Sequence, residues 1–402
     1  MALLPVAQAL AQVLDDVTPL TAERVALGEA EGRVLAEDLA ALRTQPPEDV
    51  SAMDGYALRA EDVASAPAGL KLIGEVAAGR PFAGVVKQGE AARIFTGGVL
   101  PAGSDTVVIQ ENTACEGDTV TVTQPATRGR NVRAAGLDFR KGDVRLRKGH
   151  RLTGRDVALA AAMNHASVPV TRRPKVAIVA TGDELIQPGT EPGPGQIVHS
   201  NGFAIGAVAR REGAEVIDLG ILPDRLEETI AGVRRARALG ADLLVTAGGA
   251  SVGEYDLVQP ALAAEGLALA FWKIAMRPGK PMMFGTLAGM RVLGLPGNPV
   301  SAYVCSVLFV APLIRKLTGR TEIAHVVEKG VLGRDLPAND EREEYMRATL
   351  ELRDGTPVVT PFPQQDSSML VPLAAADCLM IRPAHAPGAP AGTPCQFVKL
   401  DD

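Results

Sequence analysis

The sequence predicts a multidomain protein of the α/β plus β class: an α/β domain around a mostly parallel sheet, a β-rich inserted domain, a discontinuous mixed domain and a C-terminal β-barrel. Three observations carry this. From about residue 175 to 317, apolar runs alternate with helical patterns. On both sides of that section, short alternating runs are separated by Gly and Pro. A chain of 402 residues, 47% of them hydrophobic, has apolar material for two to four separate cores.

An amphipathic helix is expected first, at about Val6–Val17. Residues from Arg43 to Gly136 are dense in Gly, Pro, Thr and Val, with alternating runs such as Thr106–Gln110 and Thr119–Thr123, which reads as a β-rich insertion. A basic stretch then leads to a second helix, Asp156–Met163. These flanks are assigned to one discontinuous linker and dimerisation domain, 1–42 and 137–173, around the insert at 43–136. The α/β domain, 174–320, has candidate strands at Lys175–Ala180, Glu215–Leu219, Asp242–Thr246, Leu269–Lys273, Met282–Phe284 and Arg291–Leu295. Helical patterns at Asn201–Arg211, Asp224–Leu239, Leu257–Ala264 and Pro299–Leu317 alternate with them. In the last section, 321–402, short strands such as Tyr345–Glu351 and Pro357–Thr360 predict a small β-barrel or sandwich.

Composition weighs against several functions. Aromatic residues are 3% of the chain, too few for a platform that stacks single-stranded nucleic acid, and the net charge of −6 gives no general attraction to nucleic acid or an anionic membrane. With no basic leader and no run of about 18 apolar residues, the expectation is a cytoplasmic protein without a membrane partner. Cys115, Cys305, Cys378 and Cys395 form no CxxC pair, and the five histidines form no triad or metal pattern. Ser251 lacks the GxSxG elbow of a serine hydrolase.

The chemistry is expected at three glycine-rich turns that follow apolar strands: Thr181-Gly182-Asp183-Glu184, Thr246–Asp256 with Gly248, Gly249 and Ser251, and Leu295-Pro296-Gly297-Asn298-Pro299. Glycine lets the backbone approach a ligand closely, and a following helix start presents free N–H groups, which suits phosphate or another oxyanion. Glu184, Glu254 and Asp256 accompany two of the turns, and carboxylates beside an anion site imply a bridging divalent cation. The first and third turns are equally readable as ordinary helix caps. A basic loop, Trp272–Pro281, places Lys273, Arg277 and Lys280 around a Pro-Gly turn, either as anion ligands or as a solvated surface. In the β-rich insert, Asp54-Gly55 carries a hairpin-turn signal, and Phe95-Thr96-Gly97-Gly98 is ambiguous. Ten Arg or Lys residues between Arg128 and Arg155 read as a solvated basic surface, with an anion-steering wall and a nucleic-acid patch as alternatives.

Taken together, Ser51–Ala57, Phe95–Gly98, Thr181–Leu185, Gly248–Asp256, Arg277–Pro281 and Leu295–Ser301 resemble the molybdopterin molybdenumtransferase family, which includes the E domain of gephyrin. The resemblance implies that the central domain is of the molybdopterin-binding type. It implies insertion of molybdate into adenylylated molybdopterin with release of AMP, with Mg²⁺ as cofactor, in a homodimer with shared active sites and in contact with other molybdenum-cofactor biosynthesis proteins. Carried onto this chain, it implies Asp54, Thr96, Asp138, Asp224, Lys273 and Arg277 as catalytic residues and Glu184 and Asp256 as metal ligands. It further implies Gly248, Gly249, Ser251, Lys280, Pro296, Gly297, Asn298 and Arg347 as cofactor-binding residues, with the family serine at Ser367 or Ser368. A gephyrin-like scaffold and a molybdopterin adenylyltransferase are the alternatives. The full set of acids and cations argues against the first, and the β-rich insert with the C-terminal β domain argues against the second.

Overall fold

Five apolar strands of the central section pair into one sheet with a sixth, in the order 215–222, 175–181, 243–247, 290–295, 283–287, 268–272. The first four are parallel, 283–287 runs against them, and 268–272, antiparallel to 283–287, runs in their direction again. This computed structural model describes residues 3–248 and 257–400. The strand Leu243–Ala247 is buried along its whole length, as a central parallel strand covered by helices on both faces must be. One face packs under Asn201–Arg211 and Pro299–Leu317, the other under Leu226–Ala238 and Val258–Ala264. Each fully buried Val, Leu or Ile here contributes roughly 1.5–3 kcal/mol.

The segment Pro299–Leu317 differs from the uninterrupted helix that its pattern suggests, because a π-helical turn at Ser306–Val310 separates two α-helical pieces. Pro312 lacks an amide donor and its ring crowds the preceding turn, so the wider turn absorbs the mismatch. This is the one helical stretch among the described residues long and apolar enough to cross a membrane, and 83% of it is buried inside the protein.

The N-terminal helix, Val6–Leu14, buries Val6, Ala9 and Val13 against the α/β core rather than against the residues with which the sequence groups it. The discontinuous unit is built without it. Ala22–Ala26 pairs with Ser167–Thr171, Leu39–Ala40 pairs with Val144–Leu146, and a core of Leu35, Leu39, Phe139, Leu152, Met163 and Val170 closes between them. Its helix, Gly154–Ala162, starts on a capping box of Thr153 and Asp156.

The insert is a six-stranded sheet centred on Glu90–Ile94 and Ala68–Val76, with a separate apolar cluster on each face. The C-terminal section is a closed five-stranded barrel, because Glu343–Arg353 pairs with both Thr356–Pro361 and Cys378–Arg382. A two-residue strand of the α/β unit, Met276–Arg277, adds to the barrel alongside Glu343 and Glu344.

Candidate functional site

The three glycine turns emerge side by side. Their strands are neighbours in register, with Ala247 opposite both Ala180 and Leu295, so the chain leaves the same sheet edge three times. Gly248, at φ +96°, donates its N–H to the Leu295 carbonyl at 3.2 Å. A Cβ on it would lie 3.2 Å from the Thr181 carbonyl oxygen, and a Cβ on Gly297 would lie 3.9 Å from the Gly248 Cα. At Gly248 a side chain would crowd the Thr181 turn in a backbone conformation that favours glycine, whereas Gly297 is in ordinary contact with Gly248. Directly before them, Thr246 is 1% exposed and its Oγ1 has no hydrogen-bond partner among the described residues. Gly249, Ser251, Glu254 and Asp256 lie outside the described residues.

On the first turn, the exposed Glu184 carboxylate folds back over Gly182, where a Cβ would meet Oε2 at 2.6 Å. Asp183 and Asp224 lock the turn to the neighbouring strand end. The Asp183 N–H donates to Asp224 Oδ2 at 3.3 Å and the Asp224 N–H to Asp183 Oδ1 at 3.1 Å. Beside them a cavity of about 480 Å³ is lined by Gly182, Asp183, Ile186, Gln187, Thr190 and Pro223. No group of three metal-ligating side chains occurs among the described residues. The described donors at this edge are carboxylate oxygens, the chemistry of a hard cation.

On the third turn, Asn201 Nδ2 donates to the Gly297 carbonyl at 2.7 Å, and Asn298 Nδ2 donates to Ser367 Oγ at 2.9 Å. Ser367 also accepts the Val300 N–H through its carbonyl. Of the two serines left open by the sequence, Ser367 therefore meets the Pro-Gly-Asn-Pro turn, while Ser368 Oγ turns away to Asp366 at 2.6 Å. Arg347, read from the resemblance as cofactor-binding, is 1% exposed and is taken up inside the protein. Its guanidinium donates to the carbonyls of Gln364, Asp366 and Met369 and to Gln365 Oε1, which shapes the loop that carries Ser367. A buried cation with four of its five N–H donors taken by carbonyl oxygens is a scaffold for that loop.

The basic loop divides in the same way. Lys273 stands at φ +77° with Nζ 4.8 Å from the Trp272 ring, and Lys280 is exposed without an ion-pair or hydrogen-bond partner for its amine among the described residues. Arg277 is paired instead. Its Nη2 lies 2.7 Å from Glu344 Oε2 and its Nη1 3.2 Å from Asp340 Oδ2, and the hydrogen bond to Glu344 holds its pKa above the ordinary arginine value.

In the insert, Asp54 and Thr96 come together. The Thr96 N–H and Oγ1 both donate to Asp54 Oδ1, at 2.7 and 2.8 Å, and these bonds hold the Asp54 carboxyl below its usual range. The Asp54-Gly55 pair is not a hairpin turn. Gly55 opens a central strand, where a Cβ would fall 2.0 Å from the Val108 carbonyl oxygen, so its glycine serves strand approach. Asp138 is exposed beside Phe139 in the discontinuous unit. The basic stretch is dispersed: Arg145 pairs with Asp143, Arg147 with Asp38, and Arg151 donates to the Arg211 carbonyl. Sequence reasoning missed Glu344 and Asn201, whose only sequence signal is a strand and a helix start.

Three family models cover this architecture in order: the MoeA N-terminal region (domain I and II) at residues 4–164, the probable molybdopterin binding domain at 177–316, and the MoeA C-terminal region (domain IV) at 329–400. The chain is 40% identical over 342 residues to the molybdopterin molybdenumtransferase of Nostoc, covering 83% of this chain and 78% of the relative. It is 35% identical over 399 residues to molybdopterin molybdenumtransferase 2 of Mycobacterium tuberculosis, covering 97% of both. The solved molybdopterin biosynthesis MoeA protein of Pyrococcus horikoshii OT3 superposes with a TM-score of 0.85 at 32% identity, over 99% of this chain and all of that one.

Proposed function

The chain belongs to the molybdopterin molybdenumtransferase family, and we propose on that premise how its own residues serve the insertion of molybdenum into molybdopterin. It is an enzyme of molybdenum-cofactor assembly: molybdate enters adenylylated molybdopterin and AMP leaves. The observation that carries the site assignment is the joining of the Thr181, Gly248 and Gly297 turns at one sheet edge. Backbone amides at such an edge suit the phosphates of an adenylylated substrate.

Glu184 and Asp256 would hold Mg²⁺, which supplies neutralisation of phosphate charge when bound. Gly248, Gly249, Ser251 and the Pro296-Gly297-Asn298 turn border the phosphates, with Asp224 fixing the first turn through Asp183. Lys273 and Lys280 offset negative charge that develops as the phosphoanhydride is cleaved, the kind of preorganised electrostatic help that contributes most in such reactions. Arg277 is already balanced by Glu344 and Asp340, so little of this duty falls to it. Asp54 stays ionised beside Thr96 and, with Asp138, completes the site from a second subunit. Support for that arrangement is the exposure of Asp54, Thr96 and Met53, while every hydrogen bond to the Asp54 side chain lies within its own unit. A cytoplasmic homodimer in contact with other cofactor-assembly enzymes is the corresponding cellular reading.

Product analysis tests this. With adenylylated molybdopterin, AMP should appear only when molybdate and Mg²⁺ are both present, and Asp256→Asn should abolish this metal-dependent release while leaving the thermal midpoint within about 2 °C, as a loop carboxylate contributes little to stability. AMP release indifferent to magnesium would remove the metal assignment.

A further inference from the structure

The loop Lys273–Met282 is held between two units. On the α/β side its ends are closed by backbone bonds, the Lys273 N–H to the Met282 carbonyl at 2.9 Å and the Ile274 N–H to the Lys280 carbonyl at 3.0 Å. At its tip Gly279, at φ +118°, leaves no room for a side chain: a Cβ would meet Met276 Cε at 2.3 Å and Cys305 Sγ at 2.7 Å. On the other side Met276 and Arg277 form a strand against Glu343 and Glu344 of the barrel, and the Glu343 N–H donates to the Ala275 carbonyl at 3.0 Å.

Across that junction the charges close on themselves. Arg277 meets Glu344, Asp340 and Asn339 Oδ1, and Arg342 meets Asp340 from behind at 2.7 Å. Glu344 is 7% exposed, so its charge must be answered within the protein, and Arg277 is the side chain that answers it. Arg277 and Arg342 are answered by Glu344 and Asp340, and the charge of Glu341 also acts on Arg277, so Arg277 keeps no unanswered positive charge for a ligand. Three residues further on, Lys280 is exposed and unpaired among the described residues. The junction therefore fixes the middle of the loop, while Lys280, whose carbonyl closes the loop on Ile274, keeps its amine available.

We propose that Glu344 and Asp340 are positioning residues for the transferase reaction: by clamping Arg277 they set where Lys280 stands at the site. The inference rests on the reading of Lys280 as an anion ligand given above. A ligand cation must be held to within about half an ångström to be effective, and a flexible lysine on an unanchored loop is not.

A double-mutant cycle tests it, read as kcat/KM for AMP release from adenylylated molybdopterin with molybdate. Lys280→Ala should lower it by one to two decades, about 1.5–3 kcal/mol for a lost charge-assisted contact. Glu344→Gln should lower it about tenfold in the otherwise native chain and less than about twofold in the Lys280→Ala background, because both changes remove one interaction. A merely structural role would give equal losses in both backgrounds, and that additivity overturns the inference while leaving the reading of Lys280 intact. A silent Lys280→Ala overturns both. If Glu344→Gln does not fold, Asp340→Asn takes its place, with a loss of about threefold and the same dependence on Lys280 expected, and the same additivity overturning it.

Discussion

Two arginine- and acid-rich regions of this molecule have opposite logic. At the junction of the α/β unit with its neighbours, Glu212 is 3% exposed and accepts Arg315 in a two-pronged pair at 2.7 and 2.8 Å and Arg320 at 2.8 Å. Arg151 of the discontinuous unit reaches the Arg211 carbonyl nearby, and Arg211 reaches the Leu400 carbonyl at the end of the barrel. At the glycine-turn edge, Glu184, Lys280 and Lys273 have no ion-pair partner among the described residues. Charges that answer one another in a buried place hold units together, and charges left unanswered at a strand edge are available to a ligand. A count of charged residues in the sequence does not separate the two cases, because pairing is a property of the fold.

The largest expected effect tests the paired region. Glu212→Ala leaves two half-buried arginines without their carboxylate, and breaking a buried pair from one side costs about 3–5 kcal/mol. Urea unfolding should show that loss, while kcat/KM per folded molecule stays within about threefold of the parent. A variant of native stability would mean that the cluster is solvated in solution, and a stable variant without activity would place Glu212 in the site.

Next in size is the converse at the edge. Lys273→Ala should lower kcat/KM by about one decade and lower the unfolding free energy by no more than about 1 kcal/mol, since the half-buried side chain has no ion pair and gives up only its contact with the Trp272 ring. Loss of stability without loss of turnover would move Lys273 to the structural class with Arg277.

The fold class was legible because its signals are local. Alternating apolar runs and helical patterns placed the strands of the central sheet within a few residues, and glycines at strand ends marked the edge where they converge. Asp54 and Thr96 were each marked only by the resemblance, since neither stretch differs from a common turn by itself, and their hydrogen bonds came from the fold. What the sequence could not carry is partner choice over long separations. Arg277 looks like an anion ligand until Glu344, 67 positions away, is seen beside it. Arg347 looks like one until the carbonyls of Gln364, Asp366 and Met369 close around it. Gly55 looks like a turn residue until the Val108 carbonyl fills the space of its absent side chain. The π-helical turn is a related case: Pro312 is visible in the sequence, yet a kink, a break or a wider turn would each satisfy it.

The smallest effect concerns protons on the same buried pair. Burial acts to raise the Glu212 pKa, but the Arg315 hydrogen bonds, then the charges of Arg315, Arg320 and Arg151, outweigh it and hold the carboxyl below its ordinary value of 4.5. In the unfolded chain the group titrates at that ordinary value, so the folded state binds its proton more weakly. The pair's stabilisation is then complete above about pH 5.5 and is lost as the pH falls from 4.5 through the lower folded value, where the unfolded state takes up the proton first. Protonation cancels the charge but keeps the oxygens and their shape, which is why this loss is smaller than that of Glu212→Ala. The isosteric Glu212→Gln lacks the titrating proton altogether. The difference in unfolding free energy between the parent and Glu212→Gln should therefore be flat from pH 7 to about 5.5 and narrow steadily toward pH 3.5, measured by urea unfolding at each pH. A difference that stays constant into acid would mean that the carboxyl keeps its ordinary value in the folded protein, and the two regions would then differ in burial alone and not in how their charges are answered.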